Sequence, residues 1–348
     1  MTAMRYKQWV LIFAGLLISF VVLNYAIWVT CTRDLITSAH YDGGDLSRMG
    51  YLPGSKLNRH NQIDLPRQHI PLKDYKGQPI DLITIGDSFS QGGGGGKNRY
   101  YQDYIASIND MSVLNLEHYR DADFISTISL FLNNGFLERV RPRYVLIEAS
   151  EKAMMDMAGK INFDKTVDIG TMGKFPLFGH LTHPPNVPFI NNGNFKMLLN
   201  MFCFRFSDHG LFGDVRIAEM HQNFFSVKDS ANLVYLPYRP LFSAYDVAKL
   251  NNNMNVLADR LRAKGIELIY MPYVDKYTLY SKWLVQREVP ESTFFEQLRP
   301  LPKRYTYIDT KALLRDTLEK GEQDVFYPDD THSSWKASKI IFENVRFE

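Results

Sequence analysis

The first strong feature of the chain is an apolar run near its N-terminus. Residues 9–29, WVLIFAGLLISFVVLNYAIWV, contain no charged side chain. As a helix this run would extend about 31 Å, against roughly 30 Å for the hydrocarbon core of a bilayer. Trp9 and Trp28 stand at its two ends, where indole rings favour the headgroup level. The pattern predicts one membrane-spanning helix.

Short apolar runs rich in β-branched residues alternate with helical periodicity in the rest of the chain. The strand-like runs are 80–85, 113–116, 144–147, 266–271 and 305–308. The clearest helical stripe has apolar residues three and four apart, and Gly265 follows it as a stop signal. It consists of Val247, Leu250, Met254, Leu257 and Leu261. This alternation predicts an α/β fold with a mostly parallel sheet, in which ligands bind beyond the carboxyl ends of the strands.

Composition divides the chain into four predicted parts. They are a cytoplasmic tail at 1–8, the anchor at 9–29, a stem rich in Gly, Pro and Asn at 30–78, and the α/β domain at 79–348. Within that domain, the stretch at about 155–240 is rich in Phe, Asn, His and Pro and breaks the strand-helix rhythm. We interpret it as an insertion beside the active face, because long loops in compact domains are usually functional.

The charges that flank the apolar run predict its orientation. Arg5 and Lys7 precede it, whereas Asp34 and Asp45 lie among the residues that follow. Positive charge stays on the cytoplasmic side, so the N-terminus is expected in the cytoplasm and the domain outside it. The alternative is a cleaved signal peptide, but its apolar region is usually about 7 to 15 residues long, and the small residues at 37–39 make a weak cleavage site. The pattern favours an uncleaved anchor.

Overall composition excludes several classes of protein. The 348 residues include 40 Lys and Arg against 38 Asp and Glu, and 45% are hydrophobic. The apolar content excludes wholesale disorder, and the near-zero charge excludes binding of nucleic acid by bulk charge. Two cysteines cannot form a disulfide framework, and no Cys-x-x-Cys pair is present for a structural zinc. Stability must therefore come from a packed core.

A serine follows the first strand-like run of the domain directly. The sequence GDSFS occupies 86–90, and five glycines occupy 92–96. At the end of a buried strand the Ser88 hydroxyl projects from the sheet edge, and its own backbone N–H can donate to a developing oxyanion. The pattern of a phosphate-binding loop fails at two positions, and the hydrolase elbow G-x-S-x-G fails because its fifth residue is Ser90.

A histidine near the C-terminus supplies the base that such a serine needs. His332 ends the sequence Asp329-Asp330-Thr331-His332. A carboxylate two or three residues earlier can fix the imidazole tautomer and leave the other ring nitrogen to accept the serine proton. Alone, His332 would be read as a capping or core histidine. Together with Ser88 it completes a candidate triad, and this chemistry requires no metal and no cofactor.

These blocks resemble the SGNH (GDSL-type) hydrolase superfamily, in particular its membrane-anchored branch related to alginate O-acetyltransferases and other cell-envelope acyltransferases. The resemblance extends from about residue 81 to the C-terminus. Further similarity lies in VLIEASEKAM at 145–154, in GIELIYMPYVDKYTLY at 265–280 and in Trp335, three residues after His332. It implies a three-layer, flavodoxin-like sandwich with a mostly parallel sheet.

The resemblance also implies roles for individual residues. Ser88 matches the nucleophile, His332 the base, and Asp329 the carboxylate of the Asp-x-x-His form, while Asp330 would serve in the Asp-x-His form. We favour Asp329, because the serine-first order matches the ordinary superfamily layout. The superfamily's Gly and Asn oxyanion donors have no clear match, which leaves the Ser88 N–H and, more weakly, Asn115. Losing one such donor can cost about a hundredfold in rate.

The implied function is extracytoplasmic acyl transfer through an acyl-serine. With a sugar hydroxyl as acceptor the protein is an O-acetyltransferase of an exported or cell-envelope polysaccharide, and with water it is a carbohydrate esterase. The resemblance implies an inner-membrane protein with a periplasmic domain, supplied with acyl groups by a multi-spanning membrane acyltransferase. Transfer is favoured because a tether holds the domain beside that supply. The alternative is a non-catalytic protein that binds polysaccharide or scaffolds an export complex.

Overall fold

The computed structural model describes residues 3–33, 44–51, 59, 63–116, 122–151, 153–166, 189–190, 193–227, 230–237 and 243–347. Helix α1, Ala3–Ile27, comes first and continues as a short π-helix at Trp28–Arg33. Over Arg5–Thr30 the helical stretch is long and apolar enough to cross a membrane. This fits the predicted anchor by length and composition. The weak cleavage site at 37–39 lies outside the described residues.

Six strands form one sheet in the order β1-β3-β2-β4-β7-β8, and all of its neighbouring strands pair in parallel. The strands are β1 (Ile70–Pro71), β2 (Leu82–Ile85), β3 (Val113–Leu116), β4 (Tyr144–Ser150), β7 (Glu267–Tyr273) and β8 (Thr306–Tyr307). The mostly parallel sheet expected from the sequence is confirmed. Strands β3 and β4, which follow β2 along the chain, lie on opposite sides of β2. A crevice therefore opens at the carboxyl end of β2, where ligands bind such sheets.

The helices of the domain pack in two groups. They are α3 (Tyr101–Asn109), α4 (Phe124–Asn133), α5 (Phe136–Val140), α6 (Met154–Met157), α8 (Ala244–Arg262), α9 (Lys276–Tyr280), α10 (Phe294–Leu298), α11 (Thr310–Glu319) and α12 (Trp335–Asn344). Helix α12 contacts α3 and α11, helix α8 contacts α4 and α10, and both α8 and α11 reach β7. A capping box between Ser243 and Asp246 starts α8. Its predicted apolar stripe is buried.

The described part of the predicted insertion has its own small structure. Helix α7 (Gly193–Cys203) packs beside α1, and β5 (Arg216–Glu219) pairs antiparallel with β6 (Asn232–Tyr235). The end of β6 contacts α9. The insertion therefore reaches from the N-terminal helix to the carboxyl edge of the main sheet.

Part of the predicted stem is packed against the rest of the protein. Helix α2 (Asp45–Arg48) lies in this region, and Leu46 and Tyr51 form a buried cluster with Val215 and Val234 of the insertion. Apolar side chains that are removed from water in this way hold a segment firmly. Residues 44–51 thus belong to the folded body, although the sequence pattern placed them in a linker.

Candidate active site

The predicted nucleophile stands on a tight turn above the central strand. Strand β2 ends at Ile85, and Gly86 starts the turn, where a Cβ atom would come within 2.2 Å of Ser90 Oγ and 2.3 Å of Glu148 Oε2. Only glycine fits there. The Ser88 carbonyl accepts a hydrogen bond of 2.8 Å from the Gly93 N–H, which closes the turn. Ser88 itself is exposed at the crevice.

A buried glutamate on the neighbouring strand holds this turn. Glu148 Oε2 accepts from Ser90 Oγ at 2.7 Å and from the backbone N–H groups of Asp87 and Ser90 at 3.2 Å each. Burial, followed by the nearby Asp87 carboxylate, raises the pKa of Glu148 well above its ordinary value. Burial therefore works against a charge on Glu148, and the side chain supports the turn through these three hydrogen bonds.

The histidine meets the serine as predicted. His332 Nε2 lies 2.7 Å from Ser88 Oγ, across 244 positions of sequence. A Cβ atom on Gly93 would lie 2.4 Å from that nitrogen, so this member of the glycine run lets the imidazole approach. The Phe89 ring, 5.1 Å from the imidazole, stacks on Tyr273 at 4.1 Å. The expected proximity of Ser88 and His332 is confirmed, while their catalytic roles remain predictions.

The carboxylate that contacts the imidazole is Asp330. Its Oδ1 lies 2.7 Å from His332 Nδ1 and accepts from the His332 backbone N–H at 3.0 Å. Burial opposes a charge on His332, but the hydrogen bond and charge of Asp330, with the charge of Asp45, outweigh it and raise the pKa of His332. This geometry fits a proton on Nδ1 and a lone pair on Nε2 directed at the serine hydroxyl.

The preference for Asp329 is wrong. Asp329 Oδ2 accepts from the Gly44 N–H at 2.8 Å and from Ser47 Oγ at 3.1 Å, and its Oδ1 lies 2.5 Å from an Arg59 guanidinium nitrogen. Both of its oxygens are therefore bonded away from His332. The Asp-x-x-His spacing would allow Asp329 to orient the imidazole. Its carboxylate is instead bonded by Gly44, Ser47 and Arg59, which precede the first long strand of the domain.

Two residues that sequence reasoning missed come from the predicted stem. Asp45 accepts hydrogen bonds from the Thr331 N–H at 2.8 Å and from the Thr331 hydroxyl, and it lies 3.7 Å from His332 Nδ1. Burial, followed by the charge of Asp330, raises the pKa of Asp45. Arg59 lies 3.3 Å from Asp330 Oδ2. Neither residue belongs to a local motif, and the position of Asp45 after the apolar run indicates only the orientation of the predicted anchor.

A third missed residue clamps the histidine loop from the other side. Lys276, the first residue of α9, directs Nζ at the carbonyls of Tyr327, Pro328 and Asp330 at 2.7, 3.0 and 3.0 Å. Three acceptors match the three protons of an ammonium group. Burial lowers the pKa of Lys276 to about 7, against the opposing charges of Asp329 and Asp330. Lys276 lies in the segment 265–280, where the sequence shows a family resemblance but no role for this lysine.

The oxyanion donors are only partly as predicted. In the part of the chain that the structure describes, nothing accepts a hydrogen bond from the Ser88 N–H, which leaves it available to a ligand. Asn115 donates to the Ser90 carbonyl at 3.0 Å and accepts from Thr84 Oγ1 at 2.9 Å. The prediction of Asn115 as a donor is wrong, because its amide supports the serine turn from within the fold.

The crevice is a cavity of about 430 Å³ that opens beside Ser88 and His332. Tyr235 of the insertion and Tyr277 of α9 form part of its wall, with their ring centroids 4.7 Å apart. Asp45, Asp214 and Asp275 supply carboxylates to the same lining. This volume lies in the range of small-molecule sites, and the wall combines aromatic surface with hydrogen-bond acceptors.

The acidic groups around the imidazole also bear on metal binding. Asp45, Asp330 and His332 offer ligand atoms that lie within 4.8 Å of one another. Nδ1 of the imidazole is hydrogen-bonded to Asp330, and Nε2 faces Ser88. An ion would have to displace one of these partners. The arrangement is suited to raising the basicity of a histidine, which is the property that activates a serine.

Two comparisons set this sequence against known proteins. A scan against protein-family models gives no match, and a search among curated proteins finds none either. The functional conclusion therefore depends on the geometry of the site and on the sequence resemblance alone.

Proposed function

We propose that this protein is a serine acyl-transfer enzyme. One observation carries the proposal: two hydrogen bonds of 2.7 Å link Ser88, His332 and Asp330 in series at the carboxyl end of a central parallel strand. Two segments far apart in sequence supply the three groups, and glycine at 93 is needed for Ser88 and His332 to meet. A serine is a weak nucleophile unless a base is held in this way.

The geometry supports two half-reactions. His332 Nε2 removes the Ser88 proton, the serine oxygen attacks the carbonyl carbon of an ester, and the resulting oxyanion accepts a hydrogen bond from the Ser88 N–H. The imidazolium then protonates the leaving alkoxide, which departs and leaves an acyl-serine. In the second half His332 deprotonates an acceptor hydroxyl, whose oxygen attacks the acyl-serine carbonyl. The bond to the serine oxygen breaks, the imidazolium returns its proton to that oxygen, and the acylated acceptor leaves. Asp330 stabilises the imidazolium throughout.

We infer that the acceptor is a sugar hydroxyl of an exported or cell-envelope polysaccharide. The membrane-crossing length of α1 supports a tethered enzyme, and Arg5 and Lys7 before it support a cytoplasmic N-terminus and a periplasmic domain. In this proposal a multi-spanning membrane acyltransferase supplies the acyl group. The two helix groups around the sheet support the three-layer SGNH arrangement. Tyr235 and Tyr277 offer aromatic surface for sugar rings.

A second candidate is a non-catalytic protein of the same fold that binds polysaccharide. The observation that favours it is that Asn115, the second expected oxyanion donor, bonds the Ser90 carbonyl instead. The preserved serine-histidine contact favours the enzyme, since mere sugar binding would not require it.

The test is hydrolysis of 4-nitrophenyl acetate by the full-length protein in detergent. Ser88→Ala and His332→Ala should each lower kcat/KM by about a thousandfold or more. Ser226→Ala removes an exposed hydroxyl elsewhere and should leave the rate unchanged. Wild-type turnover in Ser88→Ala would overturn the proposal. With oligosaccharides added, acetylated sugar in the mass spectrum identifies a transferase, and free acetate alone identifies an esterase.

A further inference from the structure

The insertion touches the N-terminal helix inside its apolar stretch. The side-chain amide of Asn24 donates to the Phe189 carbonyl at 2.8 Å, and that of Asn194 donates to Asn24 Oδ1 at 3.0 Å. Asn24 is only 2% exposed. Four residues earlier, the Phe20 ring stacks on Phe195 with centroids 5.9 Å apart. A polar side chain in a membrane helix needs such a partner, and here the first turn of α7 supplies it.

The length of α1 fixes the depth of this contact. The apolar stretch 9–29 is about 31 Å long against roughly 30 Å of hydrocarbon, so it has no spare length to extend above the bilayer. At 1.5 Å per residue, Asn24 lies about 8 Å and Phe20 about 14 Å below the end of the stretch nearest the domain. The start of α7 therefore lies below the membrane surface whenever α1 spans the bilayer.

The two faces of α7 differ in what covers them. Met197 packs against Ile27 of α1 in a small apolar cluster. On the opposite side Leu198, Leu199 and Phe202 are exposed, Phe202 to 61%, and Phe206 after the helix is 77% exposed. Water would be a poor environment for this surface. Leu23 of α1 is also an exposed apolar residue, which lipid would cover in a spanning helix.

Basic residues accompany the apolar surface. Lys196 and Arg205 are exposed at the two ends of this segment, and the Lys196 Nζ lies 5.7 Å from the centre of the Phe212 ring. An apolar helix face bordered by lysine and arginine is typical of helices that lie at the boundary between acyl chains and headgroups. A solvent-exposed helix would gain nothing from this pattern.

We propose that residues 193–212 form a second membrane contact, in which the start of α7 lies along α1 below the membrane surface, and Leu198, Leu199 and Phe202 meet acyl chains at their boundary with the headgroups. The occupant of the apolar face is lipid, because α7 starts below the membrane surface beside Asn24 and basic residues border its exposed apolar side chains. The inference depends on α1 as the spanning helix and is independent of the proposed chemistry.

The contact has a consequence for the site. Asn200 of α7 donates to the Met49 carbonyl at 2.9 Å, and the same segment carries Asp45, which is bonded to Thr331 beside His332. A continuous set of contacts therefore runs from the membrane-embedded helix to the histidine loop. This holds the cavity at a fixed height above the bilayer.

Site-directed spin labelling of the full-length protein in lipid nanodiscs tests the proposal. In a background of Cys31→Ser and Cys203→Ser, single labels are introduced by Leu198→Cys, Phe202→Cys and, as control, Lys320→Cys, whose native side chain is 72% exposed. Collision with lipid-soluble oxygen and with a water-soluble nickel chelate is compared at each site.

The labels at 198 and 202 should collide with oxygen at least tenfold more effectively, relative to the nickel chelate, than the label at 320. Values equal to those of the control would place α7 in water and overturn the proposal. Protection from both reagents would also overturn it, because it would mark a face covered by protein, such as a second copy of the chain. Neither readout depends on whether the protein is an enzyme.

Discussion

The serine turn and the histidine loop are held in place by different forces. The turn is fixed from inside the sheet, by the buried Glu148 side chain and by an Asp87 carboxylate that accepts from the Ser150 N–H at 2.8 Å. The loop is fixed by charged side chains, among them Arg59 and Lys276. The nucleophile is thus positioned by the core of the domain, whereas the base depends on segments that surround it.

This difference predicts different responses to mutation. Hydrogen bonds inside a sheet are local, so a change near the turn should affect little beyond it. A buried ion pair that loses one partner leaves an uncompensated charge, which is costly. The most informative substitutions therefore lie in the loop, and the least disruptive ones lie under the turn.

The largest expected effect separates the two neighbouring aspartates. Asp330→Asn should lower kcat by about a thousandfold to ten-thousandfold, because the imidazole loses its tautomer and its charge partner. Asp329→Asn should lower the free energy of unfolding by about 3 kcal/mol, because Arg59 loses its closest partner, and should reduce kcat by less than tenfold. Steady-state kinetics and urea unfolding of both variants show which aspartate orients His332 and which one stabilises the fold. Equal losses of kcat would show that the geometry around His332 has been misread.

The next effect concerns the lysine clamp. Lys276→Met should cost about 2 kcal/mol of stability, since three loop carbonyls lose their donor, and should lower kcat about tenfold as His332 loses its fixed position. Lys282→Met, on an exposed lysine paired with Glu319, is the matched control. Unchanged kcat and stability in Lys276→Met would show that Lys276 does not hold the histidine loop in place.

Lys276 also predicts a slope of stability with pH. Burial lowers the pKa of Lys276 to about 7 in the folded protein, while an unfolded lysine stays protonated to about 10.4. Between these values the unfolded chain binds more protons, so the free energy of unfolding should rise with pH. The slope should be absent in Lys276→Met. Urea titrations at pH 7, 8 and 9 measure it.

The serine side of the site was more accessible to sequence reasoning than the histidine side. A buried apolar strand followed by GDSFS identifies the turn locally, and the parallel sheet follows from the same runs. The two aspartates before His332 could not be separated, because both spacings reach an imidazole and the choice depends on Gly44 and Arg59. The two-residue strands β1 and β8 are too short to show periodicity.

A smaller effect concerns the second carboxylate near His332. Asp45→Asn removes a charge 3.7 Å from Nδ1, so the pKa of His332 should fall. Because the base must be neutral to act, the acid limb of kcat/KM should move about one pH unit lower. Asp214→Asn, at another carboxylate of the cavity wall, should leave the limb in place. An unmoved limb in Asp45→Asn would contradict the role assigned to the stem.

The smallest effect is expected beneath the serine. Glu148→Gln keeps the size of the side chain and should keep kcat within about threefold, because the amide oxygen can still accept from Ser90. In the wild type the raised pKa of Glu148 should make stability fall as pH rises above the ordinary glutamate value. This slope should be weaker in Glu148→Gln. A loss of kcat beyond a hundredfold would indicate that the charge of Glu148 matters.

Labelling by a fluorophosphonate probe tests the central claim most directly, because the reagent reacts with a serine only when a neighbouring base activates it. In the full-length protein, tryptic mass spectrometry should find the phosphonate on Ser88 and not on Ser90, two residues away. Labelling should be abolished in His332→Ala and slowed at least a hundredfold in Asp330→Asn. An unlabelled wild type, or one labelled as fast as His332→Ala, would contradict the account.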